Sequence, residues 1–273
     1  MGLGGNLMWT AIFREFWNKY GKNNKDLKLL PVEHGKIVRD HLWINNPYIT
    51  YDPNYKPLMI CILEDTTQIS RYPNHDVYRD NLHIITSRCK KLGIENPELK
   101  CELYFTKNEE EKIANLLKIL PNKFICIEPN SKGTYTLNKF YPFNKWQNIR
   151  NHFKDYEFVQ VGNKVDRVLN NVINLVGKLT FRETALLLKY STLYIGIEGG
   201  LVHCCNAVNC KKAFVIVPPL FHPNLVKYPK YKYIWLGNEN HKRCGMRGKC
   251  QECYDIINNN NEKYIIDEIE KYI

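Results

Sequence analysis

The chain alternates between two hydrophobic patterns. Buried strands are predicted by short apolar runs at residues 27–32, 59–63, 124–127, 157–161, 193–197 and 213–217. Helices are predicted by apolar side chains at helical spacing in residues 10–20, 76–92, 108–120, 144–153, 182–190, 202–208 and 262–273. Strands that alternate with helices in this way predict an α/β protein whose parallel sheets are doubly wound.

A break near the middle of the chain divides this series. Pro121 and Asn122 end the helix predicted over residues 108–120, and a second strand–helix series starts directly afterwards. We therefore predict two Rossmann-like domains, residues 1–120 and residues 121–273. The isoleucines of the last helix lie on one face, so this helix could pack back on the first domain.

The composition excludes some classes of protein but does not identify the binding partner. The 273 residues include 39 Lys+Arg and 28 Asp+Glu, a formal net charge of +11. With 44% hydrophobic and 25% charged residues the chain is not disordered, and no apolar run reaches the roughly 18 residues of a membrane-spanning helix. The charge would suit nucleic acid, a phosphorylated ligand or an anionic membrane. Codon bias towards Lys, Asn, Ile and Tyr explains it equally well.

The cysteines and the N-terminus indicate a compartment. The first residues lack the basic and long apolar segments of a secretory signal. The ten cysteines are spread irregularly, unlike a disulfide framework. We expect a cytoplasmic protein with reduced thiols.

A glycine pair marks the first candidate site. In residues 196–203 an apolar strand runs into Gly199 and Gly200 and then into a helix. The N-terminus of a helix at this edge of a sheet offers free N–H groups to an anion. Without Cβ atoms the glycines would let a diphosphate approach, and His203 could reach the same phosphates. An ordinary turn has the same pattern, so the pattern alone leaves both interpretations open.

A polar loop forms the second candidate site. It follows the strand at residues 124–127 and contains Ser131, Lys132, Thr134, Thr136 and Lys139. Hydroxyl and ammonium groups at the carboxyl end of a strand suit phosphate binding. A solvated loop would have the same composition.

Five segments along the chain form an ordered set of motifs. They are Gly5-Asn6-Leu7-Met8-Trp9-Thr10, Asn46-Pro47-Tyr48-Ile49, Lys139-Phe140-Tyr141-Pro142-Phe143-Asn144-Lys145-Trp146, Gly177-Lys178-Leu179-Thr180 and Glu198-Gly199-Gly200-Leu201-Val202-His203. In this order and at this spacing they resemble the family 9 glycosyltransferases, the heptosyltransferase-like enzymes of the GT-B fold. The resemblance covers nearly the whole chain.

The resemblance implies a fold and a reaction. Two Rossmann-like domains with doubly wound parallel sheets would face a cleft, the second holding a nucleotide-diphosphate sugar and the first an acceptor. An inverting transfer would move a heptose-like sugar or a hexose to a hydroxyl of a glycan or glycolipid. Catalysis would need no cofactor and the protein would not bind nucleic acid. A membrane-bound acceptor would bring the protein to the inner membrane face as a peripheral protein.

The resemblance also implies roles for individual residues. Lys139 matches a lysine that contacts phosphate, where a cation offsets charge on the departing diphosphate. The implied donor-binding residues are Ser131, Lys139, Asp166, Glu198, Gly199, Gly200 and His203. Asp166 lies near an acidic position that touches the nucleotide ribose. The implied catalytic positions are Asn6, Lys139 and Glu198.

Two departures from the family pattern affect these roles. The acceptor-side loop, Gly4, Gly5 and Asn6, has an amide where the family has the aspartate thought to act as general base. An amide cannot take a proton at pH 7. Three alternatives follow: another carboxylate serves, the acceptor chemistry differs, or the chain binds nucleotide sugars without turnover. The candidate carboxylates are Glu33, Glu64 and Asp65. The second departure, Glu198-Gly199 for Asp-Thr/Ser, could change the sugar or nucleotide accepted.

A cluster of soft ligands lies near the C-terminus. His241, Cys244, Cys250 and Cys253 fall within 13 residues and could hold a structural zinc or iron. Their spacing is not that of a standard zinc module, so structural thiols remain the alternative. Together with the basic charge, the cluster would also fit a zinc-containing nucleic-acid binder.

Overall fold

The computed structural model describes residues 2–21, 23–63, 81–130, 136–220, 222–237 and 248–273. Within them are eight α-helices: α1 (Leu3–Tyr20), α2 (Ile84–Lys91), α3 (Lys107–Leu117), α4 (Phe143–His152), α5 (Phe181–Leu188), α6 (Gly200–Ala207), α7 (Gln251–Asn259) and α8 (Glu262–Glu270). The strands are β1 (Lys28–Glu33), β2 (Lys36–Ile37), β3 (Leu58–Ile62), β4 (Ile125–Glu128), β5 (Phe158–Gln160), β6 (Ile173–Asn174), β7 (Leu193–Ile197), β8 (Ala213–Val217) and β9 (Lys232–Trp235).

The second half of the chain is built on a six-stranded parallel sheet. Its order is β6-β5-β4-β7-β8-β9, so the winding reverses between β4 and β7. All residues of β7 and β8 are buried, as expected for central strands with helices on both faces. The predicted α/β class is confirmed. In open α/β sheets ligands bind where the winding reverses, so the carboxyl ends of β4 and β7 are the expected place for a ligand.

The first half has a smaller, mixed sheet among the described residues. Its order is β2-β1-β3, with β1 parallel to β3 and antiparallel to β2. The predicted parallel pairing is thus present between β1 and β3, and the two-residue β2 adds an antiparallel edge to it. The predicted acceptor-side loop is wrong, because Gly4, Gly5 and Asn6 lie inside α1, which begins at Leu3.

The C-terminal helix packs within the second half. Its buried Ile265 and Ile269 belong to the hydrophobic cluster that contains Trp146 and Ile149 of α4. Lys145 of α4 also donates a hydrogen bond to the Asn258 carbonyl (2.7 Å) in the last turn of α7, and its Nζ lies 3.8 Å from the carboxylate of Glu262 at the start of α8. Among the described residues the contacts of α8 thus lie on α4 and the large sheet, and the expectation that it packs on the first domain is wrong.

The two halves share one hydrophobic core. Leu7 and Phe13 of α1 and Val202 and Cys205 of α6 belong to the same cluster of buried side chains. Helix α1 packs against α6, and α3 packs against α5. No helix in the described ranges combines the length and the apolar character needed to cross a bilayer.

Candidate functional site

Charged side chains meet where the winding of the large sheet reverses. Glu198 follows β7 directly and is only 5% exposed. Lys139 ends a short 3-10 helix (Leu137–Lys139), and its Nζ forms an ion pair with Glu198 Oε2. The structure thus brings together two of the three predicted catalytic residues. The ion pair holds the Lys139 ammonium group at Glu198, two residues before α6 begins at Gly200.

The N-terminus of α6 is open to an anion. The residue preceding the helix, Gly199, has no side chain to accept the first free N–H groups of α6. A Cβ on Gly199 would meet only the Ile197 carbonyl, at 3.8 Å, so the space beside it is free. Gly200 differs, since its Cβ would lie 3.0 Å from the Phe181 ring. Gly199 therefore leaves room for a ligand, whereas Gly200 is required by packing.

His203 of α6 lies at the interface between α6 and α1. It is buried, and its Nδ1 lies 2.6 Å from the Tyr228 hydroxyl. A Cβ on Gly4 of α1 would lie 2.8 Å from His203 Cδ2, so the first turn of α1 packs directly on α6. Burial lowers the pKa of His203 to about 3, and the charge of Lys139 contributes. The predicted phosphate ligand is thus a neutral imidazole at the interface of the halves.

Two further carboxyl groups lie at the same edge of the sheet. Asp166 accepts a hydrogen bond from Asn163 N (2.6 Å). A Cβ on Gly162 would lie only 2.5 Å from Asp166 Oδ2, so the carboxylate packs directly on this glycine. Burial raises the pKa of Glu128 to about 8, a hydrogen bond from Tyr194 (2.9 Å) opposes this, and the charges of Asp166 and Glu198 add to it. A protonated Glu128 limits the negative charge that a diphosphate would meet there.

A hydrogen bond links the predicted catalytic position 6 to a carboxylate. Asn6 Nδ2 donates to Asp40 Oδ2, and the Asn6 carbonyl accepts from Trp43 Nε1 (2.8 Å). Sequence reasoning missed Asp40, whose only signal is its position as the N-cap of a 3-10 helix (His41–Trp43). Glu33, a predicted base, lies instead at the β1–β2 hairpin, opposite Lys36.

The remaining predicted residues divide into two groups. Ser131, Glu64, Asp65, His241 and Cys244 lie outside the described residues. Cys250 precedes α7 and Cys253 is buried in its first turn. Asn138, adjacent to Lys139, accepts from Cys250 N (2.8 Å) and donates to the Gly248 carbonyl (2.9 Å). The end of the cysteine-rich segment is therefore attached to the loop that carries Lys139.

The described cysteines form no disulfide with one another, and most are buried. Within the described part of the chain no three metal-ligating side chains come together. Cys250 and Cys253 could supply two thiolates of a metal site, but such a site would also need residues outside that part.

Because two histidines are buried, we expect the folded protein to lose stability in acid. Burial lowers the pKa of His83 to about 3, as it does for His203. Their ordinary value is 6.5, so below that pH the unfolded chain gains protons that the folded chain does not. Between pH 7.5 and pH 5.5 we expect each histidine to lower the free energy of unfolding by about 1.4 kcal/mol.

Urea unfolding at the two pH values measures this effect. His203→Gln should lose about half of the pH dependence. Equal pH dependence in His203→Gln and the wild type would contradict the assignment.

The comparisons with known proteins agree with this architecture. No protein-family model matches the sequence, and no curated protein matches it. Among solved structures, the Escherichia coli ADP-heptose lipopolysaccharide heptosyltransferase II aligns with a TM-score of 0.66 at 12% identity, over 99% of this chain and 95% of that chain. A family 9 glycosyl transferase from Veillonella parvula aligns with a TM-score of 0.63 at 12% identity, over 99% and 94%.

A third structure was determined with a ligand. It is the dodecameric iron-containing heptosyltransferase TibC in complex with ADP-D-beta-D-heptose, with a TM-score of 0.66, 14% identity and coverage of 100% of this chain and 74% of that chain. Three glycosyltransferase structures thus share the arrangement of helices and strands described above. This chain has the heptosyltransferase-like GT-B fold of the family 9 glycosyltransferases.

Proposed function

We propose that this chain is an inverting glycosyltransferase that moves a sugar from a nucleotide-diphosphate donor to a hydroxyl of a glycan or glycolipid. The observation that carries the proposal is the Lys139–Glu198 ion pair directly before the uncapped N-terminus of α6. It lies where ligands bind in sheets of this winding. The first turn of α1 packs against the same helix end, so an acceptor bound to the first half would lie near it.

The geometry suggests how the leaving group is stabilised. As the bond between the anomeric carbon and the diphosphate breaks, negative charge grows on the phosphate oxygens. The Lys139 ammonium and the first N–H groups of α6 would stabilise this charge, because they are already fixed in place. Glu198 would orient Lys139 through their ion pair.

A panel of nucleotides tests the donor site. We expect one of ADP-heptose, UDP-glucose or GDP-mannose, together with its free nucleoside diphosphate, to raise the melting temperature by several degrees at 100-fold its dissociation constant, which corresponds to about 2.7 kcal/mol. Gly199→Val should abolish the shift by filling the space beside the helix end. The matched change Gly248→Val, at a position where a Cβ would meet nothing within 4 Å, should retain it. If no compound of the panel shifts the wild type, the donor site is wrong.

A second candidate function is nucleotide-sugar binding without turnover. Asn6, in place of the family's aspartate, is the observation that favours it. Binding of a donor without release of its nucleoside diphosphate would identify this function, and Asn6→Asp would then create turnover.

The acceptor and the location are part of the same proposal. A glycolipid acceptor would hold the basic chain at the cytoplasmic face of a membrane. Co-sedimentation with vesicles of phosphatidylglycerol and phosphatidylcholine tests this contact, and nucleic acid should not compete with the vesicles.

A structural zinc or iron at the cysteine-rich segment also remains a proposal. It would fix the loop next to Lys139 through Asn138 and would take no part in the transfer. Elemental analysis of the purified protein and of Cys250→Ser tests it, and a metal content unaffected by the change would contradict it.

A further inference from the structure

We propose that Asp40 is the general base of the transfer and that Asn6 is the residue that positions it. This inference rests on the proposed function, because it names the group that takes the proton of the acceptor hydroxyl. The observation behind it is the hydrogen bond from Asn6 Nδ2 to Asp40 Oδ2. The carboxylate that residue 6 lacks is thus supplied by its hydrogen-bond partner.

Both oxygens of Asp40 are anchored. Oδ2 accepts from the Asn6 amide, and Oδ1 accepts from the backbone N–H of Leu42 (2.8 Å). A carboxylate has about four lone-pair sites, so two anchoring bonds leave room for a hydroxyl. The Asp40 side chain is 13% exposed, so it remains in contact with solvent.

Asp40 is attached to the elements that flank the candidate donor site. In the first turn of α1, Gly4 lies against α6, since its Cβ would be 3.4 Å from Gly200 Cα, and Asn6 two residues later holds Asp40. From the second half, Arg182 Nη1 approaches the carbonyls of His41 and Leu42 (both 3.4 Å). The segment that carries Asp40 is therefore held by α1 of the first half and by α5 of the second.

The hydrogen bond to Asp40 explains why residue 6 is an asparagine. An aspartate at position 6 would place a second carboxylate against Asp40, and the two would have to share one proton. The amide of Asn6 donates a hydrogen bond instead. Its Oδ1 has no hydrogen-bond partner among the described residues although Asn6 is only 9% exposed, an arrangement that costs stability. The contact with Asp40, rather than folding, accounts for the asparagine.

The proposed step balances as a simple displacement. The acceptor oxygen forms a bond to the anomeric carbon while the bond from that carbon to the diphosphate oxygen breaks. The electron pair of the broken bond stays on the diphosphate, and the hydroxyl proton passes to the Asp40 carboxylate. The Asn6 side chain acts through its hydrogen bond to Asp40 and is therefore a positioning residue.

Several charged or titratable groups lie around Asp40, and the test must separate their effects from that of Asp40. His41 Nδ1 lies 3.5 Å from Asp40 Oδ1. Tyr51 is influenced by the charge of Asp40, and the Arg39 guanidinium lies 4.7 Å from the centre of its ring. Arg182 approaches from α5. His41 is the only imidazole among these groups and it lies against the Asp40 carboxylate, so His41→Gln is a necessary control.

Swapping the two side chains tests the proposal. The probe is hydrolysis of the donor that gives the thermal shift, followed as nucleoside diphosphate release between pH 5.5 and 9, with water as acceptor. Asp40→Asn should lower kcat about 100-fold and leave the donor Kd within twofold. The double variant Asn6→Asp/Asp40→Asn should recover at least tenfold over Asp40→Asn. Asn6→Asp alone should move the acidic limb of the kcat profile to higher pH, whereas His41→Gln should not.

Further variants keep the outcome interpretable. Asp40→Ser retains the cap on the Leu42 N–H and replaces Asp40→Asn if the latter does not fold. Donor binding and a kcat within threefold of wild type in the folded Asp40 variants would overturn the role of Asp40 and leave the proposed function intact. Donor binding without release by the wild type would also overturn it and favour the binding protein. If no donor bound, the proposed function itself would fail.

Discussion

Replacing Arg182 by alanine is expected to lower the free energy of unfolding by about 4 kcal/mol, because it removes one partner of a largely buried ion pair. The Arg182 Nε and Nη2 donate to the two carboxylate oxygens of Glu109 (2.7 and 2.9 Å), and Nη2 also donates to the Tyr104 carbonyl (2.6 Å). Arg182 is 3% exposed and joins α5 of the second half to α3 of the first. Its loss would leave the Glu109 carboxylate partly buried without its cation.

The measurement is urea unfolding of Arg182→Ala, with Lys112→Ala as the matched control. Lys112 also bridges the halves, to Glu183 (2.8 Å), but its side chain is 47% exposed. Its loss should therefore cost less than about 1 kcal/mol. A loss below 1 kcal/mol in Arg182→Ala would show that the shared apolar core alone holds the halves together.

The pH dependence provides a second test of the same ion pair. The hydrogen bonds from Arg182 lower the pKa of Glu109 to about 2 from an ordinary 4.5. The stabilisation is fully present above pH 4.5 and is lost as the pH falls through about 2. Arg182→Ala should therefore lose stability less steeply than wild type in this range.

The parts of the fold that local patterns determine could be predicted from the sequence. The bounds of β7 and β8 are those predicted, because continuous apolar runs identify buried central strands. The start of α5 follows from the capping box of Thr180 and Glu183. The start of α1 could not be predicted, because the glycine at position 4 looks like a turn. In the structure that glycine lies inside a helix, where His203 leaves no room for a Cβ.

The candidate site divides in the same way. Lys139 and Glu198 are 59 residues apart, yet each lies in a recognisable motif, so the resemblance could place them together. Asp40 lies in no such motif, and its contact with Asn6 depends on how α1 meets the 3-10 helix. The role of Arg182 likewise depends on packing between the halves. Contacts of this kind arise from tertiary structure and have no signal in a single sequence.

Replacing Lys139 by methionine is expected to lower the rate of nucleoside diphosphate release about 1,000-fold, because it removes a fixed cation from the departing diphosphate. The change also leaves the buried Glu198 carboxylate unpaired, so it should reduce stability as well. These two effects can be separated. Lys139→Met/Glu198→Gln removes both charges, and we expect it to recover most of the lost stability but none of the lost activity.

The comparison of single and double variants therefore decides what Lys139 does. Urea unfolding and nucleoside diphosphate release are measured on Lys139→Met, Glu198→Gln and the double variant at pH 7.5. If the double variant regains activity along with stability, Lys139 only neutralises Glu198 and the charge on the leaving group is stabilised elsewhere. If activity stays low in a stable double variant, the ammonium acts on the diphosphate directly. The second result is the one expected, because the Lys139 ammonium is bound to Glu198, which lies next to the uncapped Gly199 at the start of α6.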